Sequence, residues 1–141
     1  MYKISSSEQG FSLLSVLIAV MIIGIMATIA VPKFSAAIAA ANTAKIQSDL
    51  TNIDAAIVMY RLDTGKEPDK VADLEKYLTD YNNVKPPQGS CYMKGEANAV
   101  EVKSSSYTLV KIDKESRAAC DGKTAGDFGK GASNAQSGDN G

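Results

Sequence analysis

Apolar residues fall along this chain in four successive patterns, and each predicts a different element. Phe11 to Val31 is a run of twenty-one uncharged residues in which only Ser12, Ser15, Gly24 and Thr28 interrupt the apolar surface. A bilayer core takes about 20 apolar residues in a helix, so this run is long enough to span one. After Pro32 the run becomes a stripe. Phe34, Ile38, Ala41, Ile46, Leu50, Ile53, Ile57 and Tyr60 recur mostly at steps of four and three, with Lys45, Asp49, Asn52 and Asp54 off the line. That period belongs to an amphipathic helix whose apolar face carries a core. Asp63-Thr64-Gly65 supplies the stop, with Gly65 placed for a left-handed cap. A helix from Phe11 to Leu62 would run about 78 Å at 1.5 Å per residue. Gly24 and Pro32 are its predicted break points, because Pro32 has no N–H for the carbonyl of Thr28 and Gly24 has poor helix propensity.

Two further patterns follow. Pro68 and Asp69 open a short helical segment with Val71, Leu74, Leu78 and Tyr81 on one face. Asn82 to Gly89, with Pro86-Pro87, is a turn-rich connection. Ala99–Lys103 and Tyr107–Ile112 then alternate apolar and polar residues on either side of Ser104-Ser105-Ser106, which predicts a hairpin with one buried face. From Asp121 the text turns to Gly, Ser, Asn and Asp, with Phe128 the only large apolar residue, and predicts a flexible tail. The fold class is α+β: a long N-terminal helix packed on a small antiparallel sheet. The divisions are 1–10, a leader; 11–31, the apolar helix; 32–120, the amphipathic helix and head; and 121–141, the tail.

Composition narrows the function. The chain has 141 residues and a net charge of -1 without a basic cluster, so nucleic acid is not predicted as a partner. There is no His and no Trp. Without His, a Ser nucleophile would need an unusual base, and no spacing suggests one, so no catalytic residues are assigned and the chain is read as a non-enzyme. The tail glycines do not form a phosphate loop, and no cofactor is predicted.

The stretch GFSLLSVLIAVMIIGIMATIAVPKF resembles the class III signal of type IV pilins and type II secretion pseudopilins. It has the glycine, the aromatic residue directly after it, the IIGIMATIA phrase and the proline at that family's spacing. MYRLDTGKEPDKVADLEKYL is similar to the link after the long helix in major pseudopilins and competence pilins, which carries the resemblance through roughly the first eighty residues. The resemblance implies a pilin-like fold, cleavage of the Gly10–Phe11 bond by a prepilin peptidase and N-methylation of Phe11. It implies assembly with homologous subunits into a helical filament through an inner-membrane platform. Before assembly, the precursor would sit single-pass in the inner membrane with its C-terminus outside the cytoplasm and its apolar helix in lipid. One position departs from the family: Ser15 stands where Glu is usual, fifth after the cut. A charge at mid-membrane costs on the order of 3 kcal/mol, which Ser15 avoids while giving up the pairing that a carboxylate would offer.

An exported compartment permits oxidation, so Cys91 and Cys120, flanking the predicted hairpin, are expected to form one disulfide. Some relatives in the family bind calcium near their C-terminal loops. Asp113, Glu115, Asp121 and Asp127 supply oxygens of that type without a spacing that fixes a site. Two other readings stay open: a single-pass membrane-tethered binding module, and a secreted protein with an ordinary signal peptide cut before Ala40. The cleavage reading makes one direct demand. Gly10→Val should leave an uncut precursor in the membrane, and normal maturation of that variant on a gel would rule the class III signal out.

Overall fold

A computed structural model describes residues 12–132. The leader, the Gly10–Phe11 bond and the last nine residues lie outside the described residues. The chain divides into two compact units, Met1–Ser35 and Ala36–Gly141. Helix α1, Leu13–Thr64, contributes to both and is helical through Gly24 and Pro32. The two expected break points therefore do not end the helix in the single chain. Ser12 stands just before it, and its hydroxyl accepts a hydrogen bond from the Leu14 N–H at 3.3 Å. At the other end Gly65 has φ +70° and its N–H reaches the Arg61 carbonyl at 2.8 Å, the left-handed stop that a glycine provides without steric cost.

The buried face of α1 is Ala39, Thr43, Ile46, Leu50, Ile53, Ala56 and Ile57. It starts later than the sequence stripe suggested, since Phe34 is 70% exposed and Ile38 56%. Over this face pack Leu74, Leu78, Cys91, Val102, Tyr107, Ala118, Cys120 and Phe128, which close the core of the head. The segment after α1 forms two 3-10 turns, Val71–Tyr77 and Tyr81–Asn83, rather than one α-helix. Asp73 fixes the first by accepting the N–H groups of Asp69 and Lys70, both at 3.1 Å.

Four short strands follow: β1 Ser90–Cys91, β2 Val100–Glu101, β3 Thr108–Ile112 and β4 Glu115–Ala119. They make two antiparallel pairs, β1 with β2 and β3 with β4. This corrects the expected hairpin. Val100–Glu101 turns back on Ser90–Cys91, and Thr108–Ile112 pairs forward with Glu115–Ala119. The tight turn is Asp113-Lys114, where both residues take positive φ, 51° and 72°, so the strands close without glycine. Ser104-Ser105-Ser106 is a linker. Its entry is pinned by Asp121, which accepts from the Lys103 N–H at 2.9 Å and from the Ser104 hydroxyl.

Residues 121–132 are part of the head rather than of a tail. Phe128 is fully buried, and its carbonyl accepts from the Gln47 side chain at 2.9 Å. The Lys94 N–H reaches Asp127 O at 2.8 Å, and the Gly129 N–H reaches Tyr92 O at 2.9 Å. One aromatic ring is enough to draw a polar segment onto the core when its backbone groups find partners there. Phe128→Ala should therefore cost about 3–5 kcal/mol by the usual scale of aromatic truncations. Urea unfolding of the full chain in detergent checks this, and a loss below about 1 kcal/mol would place the segment outside the cooperative head.

Candidate functional site

The outside of α1 offers a long, chemically uniform surface. From Leu13 to Val31 every residue is exposed and none is charged, and an 18-residue window of the helix reaches mean hydropathy 2.8, which meets the length and composition expected of a membrane span. Its hydroxyls are spent locally. Thr28 donates to Ile25 O at 2.7 Å and Ser35 to Val31 O at 3.3 Å, which lowers the cost of carrying them in an apolar surround. Ser15 is exposed and makes no hydrogen bond among the described residues.

Past Val31 the exposed surface carries one charge, Lys33, and then becomes uncharged again. Ala37, Ala40, Ala44, Ser48, Thr51, Ala55, Val58 and Leu62 step by three and four along α1, away from the buried face. All are exposed, and Leu62 is 82% exposed. A helix face turned permanently to water would ordinarily carry charge. Here the charged residues lie at the margins. Lys45 pairs with Asp49 at 2.6 Å, and Arg117 with Asp54 at 2.9 Å. The sequence reading followed only the core-facing period and missed this second stripe. The run of small residues in SAAIAAANTA was the available signal.

On the head, carboxylates from α1 and its exit loop close the outer edge of β4. Asp54 Oδ1 accepts the Ala118 N–H at 2.8 Å, while its Oδ2 accepts from the Arg117 guanidinium. Glu67 Oε2 accepts the Ser116 N–H at 2.9 Å, and the Ser116 hydroxyl donates to Pro68 O at 2.8 Å. Arg61 bridges Glu67 and Glu115 at 3.3 and 3.2 Å. The backbone donor of Ser116 holds the Glu67 carboxyl below its ordinary pKa, helped by the Ser116 side chain and by Arg61. For Asp121 burial pulls the pKa upward, but donors from Ser104 and Lys103 outweigh it and the carboxyl stays below its ordinary range.

The structure separates the four acidic residues considered for calcium. Asp113 sits in the β3–β4 turn, Glu115 pairs with Arg61, Asp121 is held by Ser104, and Asp127 accepts from the Thr124 N–H and hydroxyl at 2.9 and 3.0 Å. They do not converge, and among the described residues no cluster of acids, Cys or His could hold a metal ion. Cys91 and Cys120 are both fully buried, as free thiols, in one core cluster. Burial pushes both thiols upward, Cys120 to about 12 with help from the nearby Asp121 and Cys91. The two cysteines do not bracket the hairpin first expected, because β1 and β2 pair with each other and β3 pairs with β4.

Comparison with known proteins agrees with the apolar surface. Residues 5–31 match the model of the prokaryotic N-terminal methylation motif. The chain is similar to the type II secretion system core protein G of Klebsiella michiganensis, 30% identical over 86 residues, which are 61% of this chain and 59% of that protein. The chain is pseudopilin-like. The core protein G of Pectobacterium carotovorum subsp. carotovorum is 29% identical over 72 residues, 51% of this chain and 46% of that protein. That of Vibrio cholerae is 33% identical over 79 residues, 56% and 54%. This pseudopilin-like chain thus spans between about half and three fifths of the length of these curated relatives. No solved structure matches significantly.

The lowered carboxylates make the head acid-sensitive with a defined sign. A folded-state pKa below the unfolded value gives stability that is present above the unfolded pKa and is lost as pH falls through the folded one. Stability should therefore hold through neutral pH and decline below the ordinary carboxylate range, near 4.5 for Glu67. Glu67→Gln should flatten that decline. Urea midpoints taken across pH 3 to 7 check it, and an unchanged slope would mean that the Ser116 N–H does not hold the charged form.

Proposed function

We propose that this chain is a structural subunit of a type IV pilus-like filament, and specifically of a type II secretion pseudopilus. One observation carries the reading. The helix presents an uncharged, exposed surface from Leu13 to Val31, and past Lys33 an exposed uncharged stripe runs from Ala37 to Leu62. Within a bilayer only the first part would be covered, since about 20 residues fill the hydrocarbon core. A filament in which such helices pack on one another covers both. The methylation motif over residues 5–31 and the likeness to core protein G support this choice.

In this reading Met1–Gly10 is a leader, cut by a prepilin peptidase at Gly10–Phe11, with Phe11 methylated. The precursor waits in the inner membrane, single-pass, with its head outside the cytoplasm. An assembly platform lifts it into a filament of homologous subunits, where helix contacts replace lipid contacts. Gly24 and Pro32 would loosen the helix only in the assembled state, where neighbours change its surroundings. The role is mechanical, without catalysis. Ser15 leaves the register to helix packing and head contacts, because a serine hydroxyl directs a neighbour weakly. In an oxidising compartment Cys91 and Cys120 would join as one bridge, formed before the head closes, since only a thiolate exchanges readily.

Intact-mass spectrometry of the exported protein, unreduced, tests these points together. The expected product begins at methylated Phe11 and lacks two hydrogens relative to the dithiol. A product starting at Ala40 would indicate an ordinary secretory signal, and one starting at Met1 a plain membrane anchor. Either would overturn the filament reading, whereas a full dithiol mass would overturn the bridge alone.

A further inference from the structure

The two edges of the β3–β4 sheet are treated in opposite ways. In an antiparallel ladder alternate residues turn their N–H and C=O groups to the partner strand and the others turn them outward. On β4 the N–H groups of Ser116 and Ala118 point outward, since Glu67 and Asp54 take them. With Lys111 opposite Ser116 and Leu109 opposite Ala118, the outward peptide groups of β3 are those of Leu109 and Lys111. Among the described residues nothing hydrogen-bonds to those groups. The segment Thr108–Ile112 carries no proline to blunt this edge, and its one charge, Lys111, is paired with Asp69 at 3.3 Å. Beside the start of β3 lies an open groove of about 340 Å³ lined by Val71, Tyr81, Val84, Lys85, Ser106 and Tyr107. Lys85 is exposed and makes no ion pair among the described residues.

We propose that the β3 edge is a strand-addition site for an extended segment of another polypeptide, one carrying a large apolar side chain next to a carboxylate. Outward N–H and C=O groups in strand register are complementary to extended backbone, not to a helix or to lipid. The groove takes the apolar side chain and Lys85 meets the acid. A second copy of this chain fits less well. Two identical antiparallel edges pair about a two-fold axis, whereas subunits in a polar filament repeat head to tail. Setting the second copy aside rests on the filament reading, whereas the edge and its groove belong to the isolated head.

The test uses the full chain in detergent micelles and a synthetic peptide, acetyl-Thr-Val-Phe-Asp-Val-Thr-amide, followed by amide NMR. The expected result is saturable shifts at Leu109, Val110 and Lys111, weakened at least tenfold when alternate peptide nitrogens are methylated. Lys111→Pro removes one outward N–H at a position where an edge strand tolerates proline, and should weaken binding to a similar degree with the β4 amides unmoved. Lys85→Glu should weaken this peptide and favour a counterpart with Lys in place of Asp. No binding, or equal binding of the methylated peptide, overturns the proposal. Equal preference for Asp and Lys peptides overturns the acidic choice. A wild-type dimer that Lys111→Pro turns into a monomer gives the edge to a second copy instead.

Discussion

Everything in the head depends on one face of one helix. The strands form two separate two-stranded pairs, and such pairs are marginal in water without something to pack on. α1 supplies it with Ile46, Leu50, Ile53 and Ile57, all essentially without solvent contact. Each such side chain contributes about 1.5–3 kcal/mol on burial, so the face as a whole outweighs any single strand pairing. The same helix also fixes the loops through polar groups beside that face. Asn42 holds Gln88 O and Ser90 O, and Thr43 accepts the Tyr92 N–H. Gln47 holds Phe128 O, Asp49 accepts from the Tyr107 hydroxyl, and Asp54 takes the Ala118 N–H. Successive turns of α1 thus place separate segments, not in chain order, of a chain that has little regular structure of its own.

That arrangement explains which parts could be read from the sequence. The long helix, its glycine stop and the apolar run are local signals, set by period and composition over many residues. The methylation motif over residues 5–31 was legible for the same reason, as a short pattern of fixed spacing. The sheet was not. Asp113 and Lys114 adopt positive φ without being glycine, so the true turn looked like ordinary polar text while Ser104-Ser105-Ser106 looked like a turn. Strand β4, ESRAA, has no alternation of large apolar residues because its inward positions are Ser116 and Ala118, small groups lying close to the helix and its exit loop. Phe128 misled in the other direction. A single buried ring in a glycine-rich segment has no period to reveal it, and its place depends on Gln47, eighty-one residues earlier.

The acids of α1 and its exit loop that cap β4 set one side of the sheet apart from the other. On that side the chain spends Asp54 and Glu67 on backbone donors that a further strand would otherwise use, which keeps the sheet from growing there. The uncharged stripe of α1 is the reverse case, a surface kept free of charge although water reaches it in the single chain. Lys33 stands at its start, and the charges at its margins are already paired as Lys45–Asp49 and Asp54–Arg117. A partner that approaches the stripe therefore has few ions to strip of water.

Pro32 gives the helix an uneven stiffness. The helix keeps its course there, yet the Thr28 carbonyl lacks the N–H that every other interior turn provides. Under tension along its axis, a helix yields first where its turns are held by fewest bonds. In this chain that point lies just past the apolar run and seven residues before Ala39, the first buried residue of the head. Stretching at Pro32 would leave the packing of the head as it is: a spring set where the core does not have to open.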